Sequence, residues 1–211
     1  LTMHLLDEII NWFKHQSILE LIGVCCGLLC VYLAARNNIW NWPFAIVTTG
    51  IYIYIFAQHG LYADMLQNAY LLCINIYGWY YWSRRPDKSA KMPVVHITIN
   101  QVETALLITA AITPLLGFSL VYLSNLLNYS SASYPLLDSF CTVLSLTAQV
   151  YMARKVLENW LIWIFVDVIY VLIYASKNLE PTAIMFAIYA LLAAKGYYDW
   201  RKELRLQQQQ L

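Results

Sequence analysis

Trp160, Trp163, Asp167, Tyr170 and Tyr174 set flat aromatic rings around a single carboxylate. At about 100° per residue on a helix they fall within an arc of about 80°, so they form one stripe. Counting about 1.5 Å of rise per residue from Trp160 places Asp167 about 10 Å into an otherwise apolar stretch. A carboxylate facing lipid at that depth is costly, so Asp167 is expected to face a bundle interior or a wet cavity. Rings beside a fixed hydrogen-bond acceptor suit a planar polar ligand, or one with ribose-like hydroxyls. A helix interface in which Asp167 bonds a tyrosine hydroxyl or a backbone group has the same pattern, and both readings stand at this point.

A second polar face lies earlier in the chain, where Asn68, Asn75, Trp79 and Trp82 share one side of a helix and Gln67, Tyr70, Tyr77 and Tyr81 flank it. Amides both donate and accept, so Gln67, Asn68 and Asn75 can recognise an uncharged polar group or bridge two helices. Gln149 and Glu103 are weaker candidates because both lie close to the ends of apolar stretches. No nucleophile stands at a useful spacing from a base, and there is no glycine-rich phosphate loop. The four histidines, His4, His15, His59 and His96, show no metal-ligand spacing, and Cys25, Cys26, Cys30, Cys73 and Cys141 all fall inside apolar stretches without a Cys-x-x-Cys pair. The expectation is a small-molecule transporter with no cofactor and no metal, rather than an enzyme.

The elements that position these residues follow from composition. Apolar residues make up 61% of the 211, charged residues only 12%, and there are 8 Trp and 17 Tyr. That is the signature of an all-α integral membrane protein. Seven stretches are long enough to cross a hydrocarbon layer of about 30 Å: residues 18–35, 42–58, 61–82, 104–126, 135–153, 160–176 and 181–200. Pro43 and Pro181 sit in first turns, where a missing N–H costs nothing.

Basic residues then orient the chain. With the first residue outside, Lys14 and Lys177 lie on the outer side. Arg36, Arg84, Arg85, Lys88, Lys91, Arg154, Lys155, Arg201, Lys202 and Arg205 lie on the inner side, ten against two. That bias predicts an outside N-terminus and a cytoplasmic C-terminus. Lys195, near the inner end of the last stretch, is expected to snorkel to that surface. Residues 1–17 are too charged to span and carry an amphipathic pattern through Leu5, Leu6, Ile9, Ile10 and Phe13, which predicts an outer surface helix rather than a signal peptide. The basic loop after the third stretch suits anionic lipid, not nucleic acid.

The chain also resembles itself at an offset of 118 residues. Asn41-Trp42 matches Asn159-Trp160, Ile51-Tyr52 matches Ile169-Tyr170, and Gly78 and Trp82 match Gly196 and Trp200. A duplication of three helices around one linking helix follows, a parallel 3+1+3 plan. Its parts are the surface helix (1–17), a first repeat (18–82), a loop with the linker helix (83–134), a second repeat (135–200) and a tail (201–211). Pro114 and Gly117 fall within the linker, where a packing role is favoured over a hinge. Thr49 stands where the second repeat has Asp167, so the two halves differ chemically where an asymmetric substrate would meet them.

The stretches Gln67-Asn-Ala-Tyr70, Gly78-Trp-Tyr-Tyr-Trp82-Ser-Arg-Arg85 and Asn159-Trp160-Leu-Ile-Trp163-Ile-Phe-Val-Asp167-Val-Ile-Tyr170 resemble the PnuC family of bacterial nicotinamide riboside transporters, distantly like the SWEET sugar carriers. The resemblance covers nearly the whole chain. It implies an inner-membrane homotrimer that passes nicotinamide riboside by facilitated diffusion, with a separate cytoplasmic riboside kinase giving the direction. It further implies that Trp160, Trp163, Asp167 and Tyr170 belong to the binding region, with Gln67 and Asn75 facing them. Thiamine or another vitamin is the alternative substrate, followed by a sugar, and a non-transport membrane scaffold is the alternative class.

Overall fold

Ser17 begins the first helix by a capping box: its hydroxyl accepts from the Glu20 amide, and the Glu20 carboxylate accepts from the Ser17 amide. Thr98 and Gln101 exchange the same pair of bonds ahead of a later helix. The computed structural model describes residues 17–84, 92–126, 134–177 and 179–209 of the chain. The expected surface helix, Ser17 apart, lies outside these residues, as do parts of the two longest loops.

Among the described residues there are seven long helices: α1 (Ile18–Ala35), α2 (Asn41–Gln58), α3 (Tyr62–Ser83), α4 (Ile99–Leu126), α5 (Pro135–Ala153), α6 (Asn159–Ser176) and α7 (Glu180–Gln208). Each corresponds to one expected stretch. α4 begins five residues early, because the Thr98–Gln101 cap starts it, and α7 continues through Arg201 to Gln208 with Leu204 buried. Four of the helices, α1, α4 (over Ile99–Leu123), α5 and α6, are long and apolar enough to cross a membrane. The other three carry the tyrosines, asparagines and charges that lower their hydropathy.

The helices pack as two sets of three. α1, α2 and α3 pack in sequence, α5, α6 and α7 do the same, and the sets meet where α3 packs on α5 and α7 on α1. α4 rests on α5. Gly117 makes that approach possible, since a side chain there would overlap Leu136. α4 is helical through Pro114.

The core sits at one end of the bundle, and the residues that match at the 118-residue offset build it. Trp42 and Trp82 meet edge to face with centroids 5.3 Å apart, and Trp160 and Trp200 do so at 5.4 Å. Trp82 and Trp200 join the two pairs at 5.8 Å, making a continuous layer of four rings, none more than 2% exposed. The indole N–H of Trp82 donates to the Ala153 carbonyl at the end of α5, and that of Trp200 donates to the Ala34 carbonyl at the end of α1, both at 3.0 Å. Each set thus donates an indole hydrogen bond to a helix-end carbonyl of the other. Gly78 lies against the Trp42 ring and Gly196 against the Trp160 ring, where a Cβ on Gly196 would come to 2.7 Å. The shared glycines and tryptophans are therefore one packing device used twice.

Two of the basic residues have fixed partners. Lys155 is not a solvated surface charge: it is 2% exposed, with its ammonium 4.0 Å from the centroid of Trp82. Lys195 is paired with Asp199 one turn along α7 at 2.7 Å.

Candidate functional site

A cavity of about 310 Å³ lies between the two sets of helices. Six helices line it, and α4 contributes nothing. α6 supplies Trp160, Trp163 and Asp167. These sit on one face because they are three and four residues apart, and Trp160 is fixed at the cavity's end by the tryptophan layer. Asp167 is only 5% exposed, and among the described residues none donates a hydrogen bond to its carboxylate and no cation lies beside it. The Trp163 indole N–H is likewise buried without a partner. An unpartnered donor and an unpartnered acceptor one helical turn apart are expensive inside a protein. On a cavity wall they are groups through which a polar ligand gains hydrogen bonds.

Across from α6, Asn75 of α3 is 2% exposed and accepts a 2.7 Å hydrogen bond from the side-chain amide of Gln149 on α5. That bond fixes the amide orientation and crosses between the two sets. Thr49 and Thr48 of α2 also line the cavity. Their hydroxyls bond the carbonyls of Ala45 and Phe44, each one turn back, so they present oxygens as acceptors. Tyr189 and Phe186 of α7 complete an aromatic wall, and Cys30 and Met152 add soft apolar surface.

Of the residues expected from sequence, Trp160, Trp163, Asp167, Asn75 and Thr49 therefore come together on one cavity. Tyr170 and Tyr174 share their face of α6 but are not among its lining residues. Both pack on Phe186, with centroids 4.8 and 5.4 Å away, so they support a ring that does line it. Gln67 is half-buried one helical turn from Leu71, and Asn68 donates to the Asp64 carbonyl of its own helix at 3.0 Å. Neither lines the cavity. Gln149, thought too close to a helix end, does, as do Tyr189 and Phe186, which sequence reasoning missed.

The lining shows why one repeat would not suffice. Six positions line the cavity from both sets at the same 118-residue offset: Val31 and Gln149, Ala34 and Met152, Ala45 and Trp163, Thr49 and Asp167, Leu71 and Tyr189, Asn75 and Ala193. The residue type differs in every pair. Identical residues hold the frame, whereas the second set brings the carboxylate, the indole and the phenol to the cavity. No Lys or Arg is among the lining residues.

The sequence model of a family described as nicotinamide mononucleotide transporter matches residues 17–202. The chain belongs to this family. It is 30% identical over 208 residues to the nicotinamide riboside transporter PnuC of Escherichia coli K12, across 90% of this chain and 87% of that protein. It is 26% identical over 200 residues to the riboflavin/roseoflavin transporter RibM of Streptomyces davaonensis, across 90% and 92%. Its fold matches the crystal structure of the vitamin B3 transporter PnuC with a TM-score of 0.69 at 22% identity, covering 97% of this chain and 89% of that one. The chain is thus a multi-pass membrane transporter and not an enzyme, and the cavity between its two helix sets is the candidate substrate site.

Proposed function

We propose that the transporter carries nicotinamide riboside across the bacterial inner membrane by facilitated diffusion, with a separate cytoplasmic riboside kinase consuming it inside. The observation that carries the reading is the pairing of the buried, unpartnered Asp167 carboxylate with the Trp163 ring in a cavity free of Lys and Arg. A cationic pyridinium gains from both the aromatic faces and the carboxylate. Ribose hydroxyls suit the Asn75–Gln149 amides and the Thr49 oxygen. A 5′-phosphate would enter with its charge unmatched and its hydration lost. Trp160, Trp163, Asp167, Asn75 and Thr49 are the residues assigned to direct contact. Tyr170 and Tyr174 act through Phe186, and Gln67 and Asn68 have a part only if the site extends beyond the cavity along α3.

In this reading all seven helices span the membrane in the parallel 3+1+3 plan, with the N-terminus outside and the tail cytoplasmic. Trp42, Thr49, Asn75, Trp82, Tyr189 and Trp200 of α2, α3 and α7 face the cavity or the tryptophan layer, whereas Tyr54, Tyr80 and Tyr198 lie on the outer surface. The surface of α4, with Leu106, Leu107, Leu115 and Phe118 exposed, meets lipid and neighbouring copies in a homotrimer. A flat tricyclic substrate such as the one RibM is named for is the second reading, favoured by the breadth of the aromatic wall formed by Trp163, Phe186 and Tyr189.

Calorimetry on the purified protein with nicotinamide riboside, its mononucleotide, thiamine and riboflavin decides among these. The riboside should bind at least tenfold more tightly than the mononucleotide. Tighter binding of the mononucleotide would sink the proposal, and preference for thiamine or riboflavin would select another vitamin.

A further inference from the structure

The α1–α2 and α5–α6 connections meet beside the tryptophan layer, and each begins with the same backbone device. After α1, the Asn37 amide donates to Ala34 and the Asn38 amide to Leu33; after α5, the Lys155 amide donates to Met152 and the Val156 amide to Tyr151. Asn37 and Lys155 are both left-handed, at φ 51° and 58°. This is a Schellman ending, whose left-handed position favours glycine or asparagine. Asn37 conforms and Lys155 does not. A strained lysine at a site that glycine would occupy freely points to a use for its side chain.

That side chain reaches across the interface of the two sets. The buried Lys155 ammonium donates to the Asn37 side-chain oxygen and to the Met92 carbonyl at 3.0 Å, over the Trp82 ring. The Asn37 side-chain amide in turn donates to the Glu203 carboxylate of α7 at 2.6 Å. One ammonium thereby ties the end of α5, the end of α1, the loop ahead of α4 and, through Asn37, α7. It does so on the side of the cavity bounded by Ala34, Met152 and Trp160. Substrate leaving on that side has to part these same helix ends.

We propose that the Asn37–Lys155 contact is a latch that holds this face of the transporter shut and releases for substrate to pass; the proposal rests on the transport reading above. Divergence at this repeated position made the latch workable, since lysine at both positions would repel and asparagine at both would bring no charge to the Trp82 ring. Opening exchanges the buried contacts of the ammonium for water, so closed and open forms are both accessible, as a gate requires.

The test uses the full chain with its native cysteines replaced and a single reporter, Ala193→Cys, on the cavity wall. An impermeant maleimide is applied from the face that carries the connections. Lys155→Gly suits the left-handed backbone and removes only the side chain, and it should raise the labelling rate about tenfold; Asn37→Gly should do the same. Conversely, Asn37→Cys with Lys155→Cys, bridged by a short bis-maleimide, should abolish uptake while leaving nicotinamide riboside binding from the opposite face within about twofold. Unchanged labelling in both glycine variants, or full uptake after bridging verified by mass spectrometry, would overturn the latch. If the folded parent protein neither binds nor carries nicotinamide riboside, the substrate reading fails, yet the labelling rates need no substrate and still decide on the latch.

Discussion

In the proposed reading Trp163 and Asp167 carry opposite halves of the recognition task, and two substitutions separate them. Removing the ring in Trp163→Ala should weaken nicotinamide riboside binding by about 2 kcal/mol or more, roughly thirtyfold, as for other buried aromatic anchors. Asp167→Asn keeps the size and removes the charge, so affinity should fall most for the cationic pyridinium and least for a neutral analogue of the same shape. Calorimetry on variants whose oligomer and helical content match the parent reads both, and unchanged binding in both would return the stripe to helix packing. The place of this pair on a cavity wall was legible in the sequence because a carboxylate inside an apolar helix has few places to go. Its neighbours were less so. Angular position on a helix gives a direction, but it gives neither the depth of a cavity nor the identity of what fills the space. Tyr170 and Tyr174 therefore shared the right face and ended on Phe186. Gln149 ranks as a weaker candidate from its place near a helix end, whereas the cavity extends to that end, as Ala34 and Met152 in the last turns of α1 and α5 show.

Helix existence was readable throughout, since apolar length and capping chemistry are local properties. The close approaches were only half readable: the repeated Gly-Trp pattern marked a duplication, but that each glycine admits a tryptophan ring from the helix before it is a tertiary fact. Gly78→Ala and Gly196→Ala should each destabilise the protein by about 1–3 kcal/mol, because a buried ring has to shift. Gly50→Ala, on α2 with nothing close to it, should instead be neutral or stabilising by about 1 kcal/mol through helix propensity. Thermal unfolding of the three variants in detergent makes the comparison, and equal melting would contradict the packing account. Lys155 shows the opposite limit. A count of basic residues places it on a surface, while the left-handed ending of α5 directs its side chain inward.

The whole molecule is a duplicated frame with an unduplicated interior. Identical residues at matching positions build the tryptophan layer, and different residues at matching positions line the cavity, so one fold presents two chemically distinct walls to one cavity. The basic residues predict its sidedness. Cysteines introduced at positions 90 and 130 of a cysteine-free protein should react with impermeant reagent from the cytoplasmic and outer faces respectively, and position 90 reacting first from outside would reverse the assignment. Facilitated diffusion, the mode proposed above, requires that the substrate equilibrate rather than be pumped. Uptake of labelled nicotinamide riboside into sealed proteoliposomes tests that claim most directly. Protein-dependent entry up to the external concentration, with no ion gradient and no nucleotide supplied, is the predicted result; absence of protein-dependent entry, or accumulation above the external concentration when an ion gradient is imposed, would contradict it.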